Sequence, residues 1–251
     1  MKTRIGALAL FFGVLVPAIA SASQGILVLA HDGTPDWTAQ VKELAAKVDA
    51  QNPVEVVFGI PGRSSIASAV DRLAGRGATA AVAVPFFITT PISPEDLTGH
   101  KVPVRLGSAG AVDPVLAEIV LQRADEISPG GREVLVILGY GAEDGGKSWA
   151  MDLDPIARRL NGMRRFASIL TIARPLKRTE AEQQQIQRSL ERQIGGGKAI
   201  IAIPLVESGS GSDGSAEQAL QGFSYRTAKG GVITDERMVD WLAKQGTSPE
   251  R

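Results

Sequence analysis

Beyond the first 22 residues, apolar positions gather first in a short continuous run. Residues 26–30, Ile-Leu-Val-Leu-Ala, have no polar interruption. That reads as a strand covered on both faces, as in a parallel sheet. From Pro35 to Val48 the pattern turns helical. Trp37, Val41, Leu44, Ala45 and Val48 recur at steps of three and four and make one apolar face. "VEVVFGIP" (54–61) reads as a second strand. A second helix follows, with Ser64 or Ser65 as its cap, Ile66, Ala69, Val70 and Leu73 inward, and Gly75 and Gly77 near its end. "ATAAVAVPFFI" (78–88) reads as a third strand. Strand alternating with helix implies right-handed crossovers and a parallel sheet.

The same order returns in the second half. "EVLVILGYG" (133–141) matches the first strand and its turn, and a helix through Leu153, Ile156, Ala157 and Leu160 follows it. "FASILTIARP" (166–175) matches the second strand. Residues 178–197 form a helix closed by glycines, and "KAIIAIPLVESG" (198–209) matches the third strand. Ala30-His31 aligns with Gly139-Tyr140 at an offset of 109, Pro61 with Pro175 at 114, and Pro85 with Pro204 at 119. The pattern predicts an α/β protein of two similar halves related by duplication, 24–128 and 129–251. They join near the Pro/Gly stretch "ISPGGRE" (127–133). The bland alternative is one doubly wound domain with coincidental similarity.

The first residues stand outside this pattern. Lys2 and Arg4 precede an apolar run from Ile5 to about Ile19, and Ala20-Ser21-Ala22 has the small-x-small form of a signal-peptidase site. The run is shorter than the ~20 residues of a membrane span. Residues 1–22 are therefore expected to be a cleaved signal peptide. The mature chain would start near Ser23, in the periplasm or outside the cell, with no stable membrane insertion. The alternative is an N-terminal membrane anchor.

Composition narrows the chemistry. The 251 residues carry 27 Lys plus Arg against 27 Asp plus Glu, so no net field draws the chain to nucleic acid. There is no cysteine, which excludes thiolate metal sites, disulfides and cysteine nucleophiles. There are two histidines, His31 and His100. "GYGAEDGGKS" (139–148) contains the glycine spacing of a phosphate loop at 141–148, a weak signal alone, and no nucleotide is expected outside the cytoplasm.

Three stretches in order, "LVLAHDGT" (27–34), "VEVVFGIPGRSSI" (54–66) and "RGATAAVAVPFFI" (76–88), resemble the class II tetrapyrrole chelatases of the sirohydrochlorin cobaltochelatase and ferrochelatase type. Members of that family begin with a strand ending in a Gly-His-Gly-Ser-like turn. They continue with a helix opening on Pro-Ser-Ile, then a Gly-Ala before a "vvvvPlfl" strand. The likeness covers most of the first half and, more faintly, the second. It implies two chelatase-like domains with a tetrapyrrole in the cleft between them. It also implies a divalent metal, cobalt or iron, as substrate or ligand.

The resemblance makes His31 the metal ligand and catalytic group; the other reading is a polar strand-end residue whose ring is satisfied by backbone. An imidazole can bind a metal through a neutral nitrogen or take a pyrrole proton. Open α/β sheets bind ligands at the carboxyl ends of their strands, so His31 is expected there, reachable by solvent. Two family features are missing. "FFITTPISPED" (86–96) lacks the second histidine, and the acidic residue at the end of the second strand has no equivalent near Ile60. Glu207, three residues past Pro204, is the candidate assistant, as a carboxylate for the metal or a proton. The other reading of Glu207 is a solvated loop carboxylate. Tyr140 matches His31 in the second half and either stacks on a ligand or fills the turn. Asp32 either assists or caps the following helix, with the cap favoured. The serines and glycines of 207–215 and the pairs Arg158-Arg159 and Arg164-Arg165 could meet substrate carboxylates; linker and solvated-face readings are favoured for them. The competing functional class is a non-catalytic exported binder of metal or tetrapyrrole, and a third is a structural remnant acting through protein contacts.

Overall fold

The structure is a computed structural model that describes residues 23–33, 35–59, 61–86, 92–110, 113–144, 147–150, 153–174, 179–194, 199–205 and 220–247. The leader at 1–22, Glu207 and the 207–215 loop lie outside the described residues.

The first sheet is built from β1 (Ser23–Ala30), β2 (Val54–Phe58), β3 (Ala78–Phe86) and β4 (Val104–Leu106), in the order β2-β1-β3-β4, all parallel. Between them run α1 (Pro35–Asp49) and α2 (Arg63–Gly75). α1 buries the five residues that its periodicity marks, and Pro35 opens it where a missing N–H costs nothing. α2 buries Ile66, Ala69, Val70 and Leu73. Its cap is Gly62, two to three residues earlier than the serines suggested. Ser65 sits inside the first turn and accepts the Gly62 N–H at 3.1 Å. β2 stops at Phe58 because Gly59 turns at φ +93°, a conformation open to glycine.

The second sheet repeats this plan. β5 (Val134–Asp144), β7 (Ser168–Arg174), β8 (Ile200–Pro204) and β9 (Tyr225–Thr227) lie in the order β7-β5-β8-β9, again parallel. Register supports the duplication residue by residue. Leu29 pairs with Pro85, and Leu138, 109 positions later, pairs with Pro204. Gly107 donates to the Ala83 carbonyl at 2.7 Å, and Ala228 donates to the Ala202 carbonyl at 3.2 Å. In the second strand Leu29 pairs with Val57 and Leu138 with Ile172, an offset of 115 where the prolines indicated 114.

One element has no counterpart. β5 runs past the position of His31 and pairs antiparallel with β6 (Lys147–Ala150), Asp144 opposite Lys147. The phosphate-loop-like stretch therefore lies on an antiparallel strand pair, not on the strand-to-helix turn of a phosphate loop.

Two helices cross between the halves. α3 (Pro114–Ile127) comes from the first half of the chain but packs on β8 and on α4 (Asp154–Gly162). α6 (Glu236–Gln245), the last helix, packs on α1. α5 (Glu180–Ile194) stays with its own sheet. The alternation of each strand then serves two cores. Ile26 and Val28 of β1, with Leu135 and Ile137 of β5, join one central core that α1, α3, α4 and α6 complete. Leu27 and Leu29 face α2, while Val134, Val136 and Leu138 face α5.

The join between halves is clamped, not loose. Arg165 holds Asp125 of α3 at 2.9 Å and Glu133 at 3.1 Å, and donates to the carbonyls of Ser128 and Gly131. This uses Arg165 at the amino end of β7, at the opposite end of the strand from the carboxyl edge of the sheet. Arg158 and Arg159 are exposed on α4. Removing Arg165 strands the Glu133 carboxylate, whose side chain is 7% exposed. Arg165→Met should lower stability by about 3 kcal/mol, the low end for a broken buried pair because Arg226 still faces Glu133 at 3.4 Å. Urea denaturation of the two proteins measures this.

Candidate functional site

His31 is the first residue beyond β1, at the carboxyl edge of the first sheet. The turn that carries it follows from three neighbours. Gly59 donates its N–H to the Ala30 carbonyl at 3.0 Å, which ties the end of β1 to the end of β2. Trp37, in the first turn of α1, donates its Nε1–H to the His31 carbonyl at 2.9 Å. The indole folds back over Gly33, where a Cβ would lie 2.3 Å from Trp37 Cδ1. Glycine at 33 is therefore a packing requirement, and it explains the run His31-Asp32-Gly33 ahead of a tryptophan.

The expectation of a solvent-reachable ring does not hold. His31 is only 3% exposed and its Nε2 is shut off from water. The physical reason is the return of α1: once Trp37 is seated on Gly33, the turn is drawn into the core. Burial pushes the His31 pKa below its ordinary value of 6.5, and the Asp32 carboxylate offsets part of that. The imidazole is thus neutral at pH 7, the form with a lone pair for a metal or a proton.

Asp32 is exposed. It does not occupy the cap position, since α1 begins three residues later at Pro35. Its carboxylate lies instead against Gly59, 3.0 Å from where a Cβ there would stand. The site therefore pairs a buried neutral imidazole with an adjoining solvent-facing carboxylate. The sequence signal for this arrangement was the glycine at the end of the second strand, which leaves room for a neighbour's side chain.

His100 is not brought to His31 by any described contact. It follows the short 3-10 turn Pro94–Leu97, and its Nε2–H donates to the Asp96 carbonyl at 2.7 Å. Tyr140 occupies the strand position matching His31, opposite Arg174 in β7, where β5 continues into the hairpin. Glu207 lies outside the described residues, beyond the end of β8. Among the described residues no three His, Asp or Glu side chains gather as a metal cage.

No family model matches the chain, and no curated protein matches it in sequence. Solved structures do. SirB from Bacillus subtilis with Fe3+ superposes with a TM-score of 0.61 at 15% identity, over 89% of this chain and 94% of that one. The sirohydrochlorin chelatase SirB from Bacillus subtilis subspecies spizizenii in complex with cobalt gives 0.57 at 12% identity, over 90% and 94%. At these identities the likeness shows the fold, and the chain has the class II chelatase-like fold along nearly the whole length of both.

Two outcomes test the geometry of the turn. Gly33→Ala drives a methyl into the Trp37 ring and should cost about 1–3 kcal/mol in urea unfolding. The lowered pKa of His31 makes stability depend on pH with a defined sign. The unfolded imidazole takes its proton near 6.5, before the buried one does. The His31 contribution is therefore complete above pH 6.5 and declines as pH falls from 6.5 through the folded value. His31→Gln should flatten the stability profile in that window.

Proposed function

We propose that the chain is a chelatase-type protein that inserts a divalent metal, cobalt or iron(II), into a tetrapyrrole of the sirohydrochlorin kind. The observation that carries this reading is a buried imidazole, its pKa pushed down by that burial, at the carboxyl end of the first strand of a chelatase-like fold. Both metals accept nitrogen and oxygen donors. The metal is substrate here, and the macrocycle itself supplies four nitrogens. A capture site therefore needs few protein donors, and one with few donors releases its metal more readily than a closed cage.

The reaction exchanges one divalent metal for the two pyrrole N–H protons of the macrocycle. His31 can hold the metal through its lone pair or accept one proton, but not both at once. Asp32, beside it and exposed, is suited to receive a proton and pass it to solvent, or to offer an oxygen to the arriving ion. Glu207 is the second proposed carboxylate, and Tyr140 the proposed contact to the macrocycle from the other half. The reading includes export to the periplasm or beyond after removal of residues 1–22, on the strength of the charged-apolar-small leader.

One observation favours a second reading. The described residues offer a single imidazole at this edge, with His100 held by the Asp96 carbonyl. A non-catalytic exported binder of metal or tetrapyrrole would need no more.

Titrating the mature chain with Co2+, with and without sirohydrochlorin, separates the two. Metal-dependent spectral change with turnover is the chelatase; stoichiometric binding without turnover is the binder. His31→Gln should weaken Co2+ binding by at least the ~10–100-fold that loss of a supporting partner costs in metal sites. His100→Ala should leave it unchanged. Co2+ affinity unaltered in His31→Gln would remove the metal role from His31.

A further inference from the structure

The turn carrying His31 is held from inside the core, and the chain of contacts does not stop at Trp37. The Trp37 indole stacks on Phe86, the last residue of β3, with ring centroids 5.8 Å apart and planes 18° apart. Phe86 in turn meets Trp241 of α6, at 6.3 Å and 33°. All three rings belong to the central core, and none is more than 5% exposed. Gly110 lets the last two close up, since a Cβ there would lie 3.3 Å from both Phe86 Cδ2 and Trp241 Cη2. Trp241 contributes shape: its Nε1–H finds no acceptor among the described residues.

α6 is also pinned where it meets the first sheet. Arg105 of β4 donates to the Gln245 carbonyl at 2.6 Å, and the Ser108 N–H donates to Gln245 Oε1 at 3.2 Å. The last helix of the second half thus reaches the first sheet as a fixed body, and Trp241 is its contact with the aromatic series.

We propose that Trp241 is a positioning residue for His31, acting through Phe86 and Trp37. Close-packed rings yield little to compression, so a lateral shift of one moves the next. Stacked and tilted ring pairs also attract beyond the area they bury, which holds the series together as a unit. The far end of the series is a hydrogen bond to the backbone of His31 itself. The capture of metal at the first sheet therefore depends on the seating of the second half's last helix. This rests on the proposed metal role of His31, but the positioning can be read without metal.

The test uses the full mature chain with four substitutions. Trp241→Leu and Phe86→Leu break the ring series, and Trp241→Phe keeps a ring in place. Met238→Ala is the control, a fully buried residue of the same helix and core that lies outside the series. The first readout is the His31 imidazole NMR resonance of the metal-free protein at pH 8. The second is the Co2+ dissociation constant, both under conditions where every variant is folded by circular dichroism. Trp241→Leu and Phe86→Leu should shift the resonance and weaken Co2+ binding about tenfold, on the scale of a lost supporting partner. Trp241→Phe should stay within about threefold of the parent, on the same scale. Met238→Ala should lose stability and move neither readout. An unmoved His31 resonance in both Leu variants, or an equal effect in Met238→Ala, overturns the proposal. A moved resonance in a protein that never binds Co2+ upholds the positioning and sinks the metal reading instead.

Discussion

Everything in this fold depends on one apolar core that neither sheet can complete alone. The inner faces of β1 and β5 each present alternate branched side chains, Ile26 and Val28 on one, Leu135 and Ile137 on the other. Covering them takes α1 and α4 from the same half, and then α3 and α6 from the opposite half. Burial of apolar surface is the dominant favourable term in folding, so exchange of these two helices makes the halves mutually obligatory. The polar contacts follow that arrangement. Arg165 fastens the end of α3 to the start of β5, and Gln245 fastens the end of α6 to β4.

That core also reaches the functional edge. Trp37 has two duties, filling the interior with its ring and fixing the His31 carbonyl with its N–H. A hydrogen bond from a buried indole satisfies a donor that would otherwise be costly, so the turn and the packing support each other. The result is an imidazole kept neutral by burial beside a carboxylate left in water. In the second half the same strand position holds Tyr140, and β5 continues there into a hairpin instead of turning into a helix. Duplicated sheets have thus acquired unlike edges, and the asymmetry lies where α/β sheets bind ligands.

Much of this was legible in the chain itself. The period of three to four between Trp37 and Val48, the unbroken run at 26–30 and the paired prolines at 85 and 204 were enough for two parallel α/β sheets and for the alignment of His31 with Tyr140. These signals are local, and each is imposed by the geometry of a single helix or strand. Neither crossing helix was read from the sequence, although Asp113-Pro114 ahead of α3 is a cap followed by a proline at the first helical position.

What the tertiary structure alone decided was destination and burial. Periodicity shows that α3 and α6 each have an apolar face, but not that each would lie on the other half's sheet, because any apolar face of suitable shape satisfies it. In the same way, a histidine at the end of a strand was readable, whereas its burial was not. That follows from an indole closing over Gly33 and from rings contributed by β3 and α6, residues up to 210 positions away in the chain. Local sequence sets which groups a segment presents; contacts between distant segments set the solvent around them, and with it the protonation state of the group at the site.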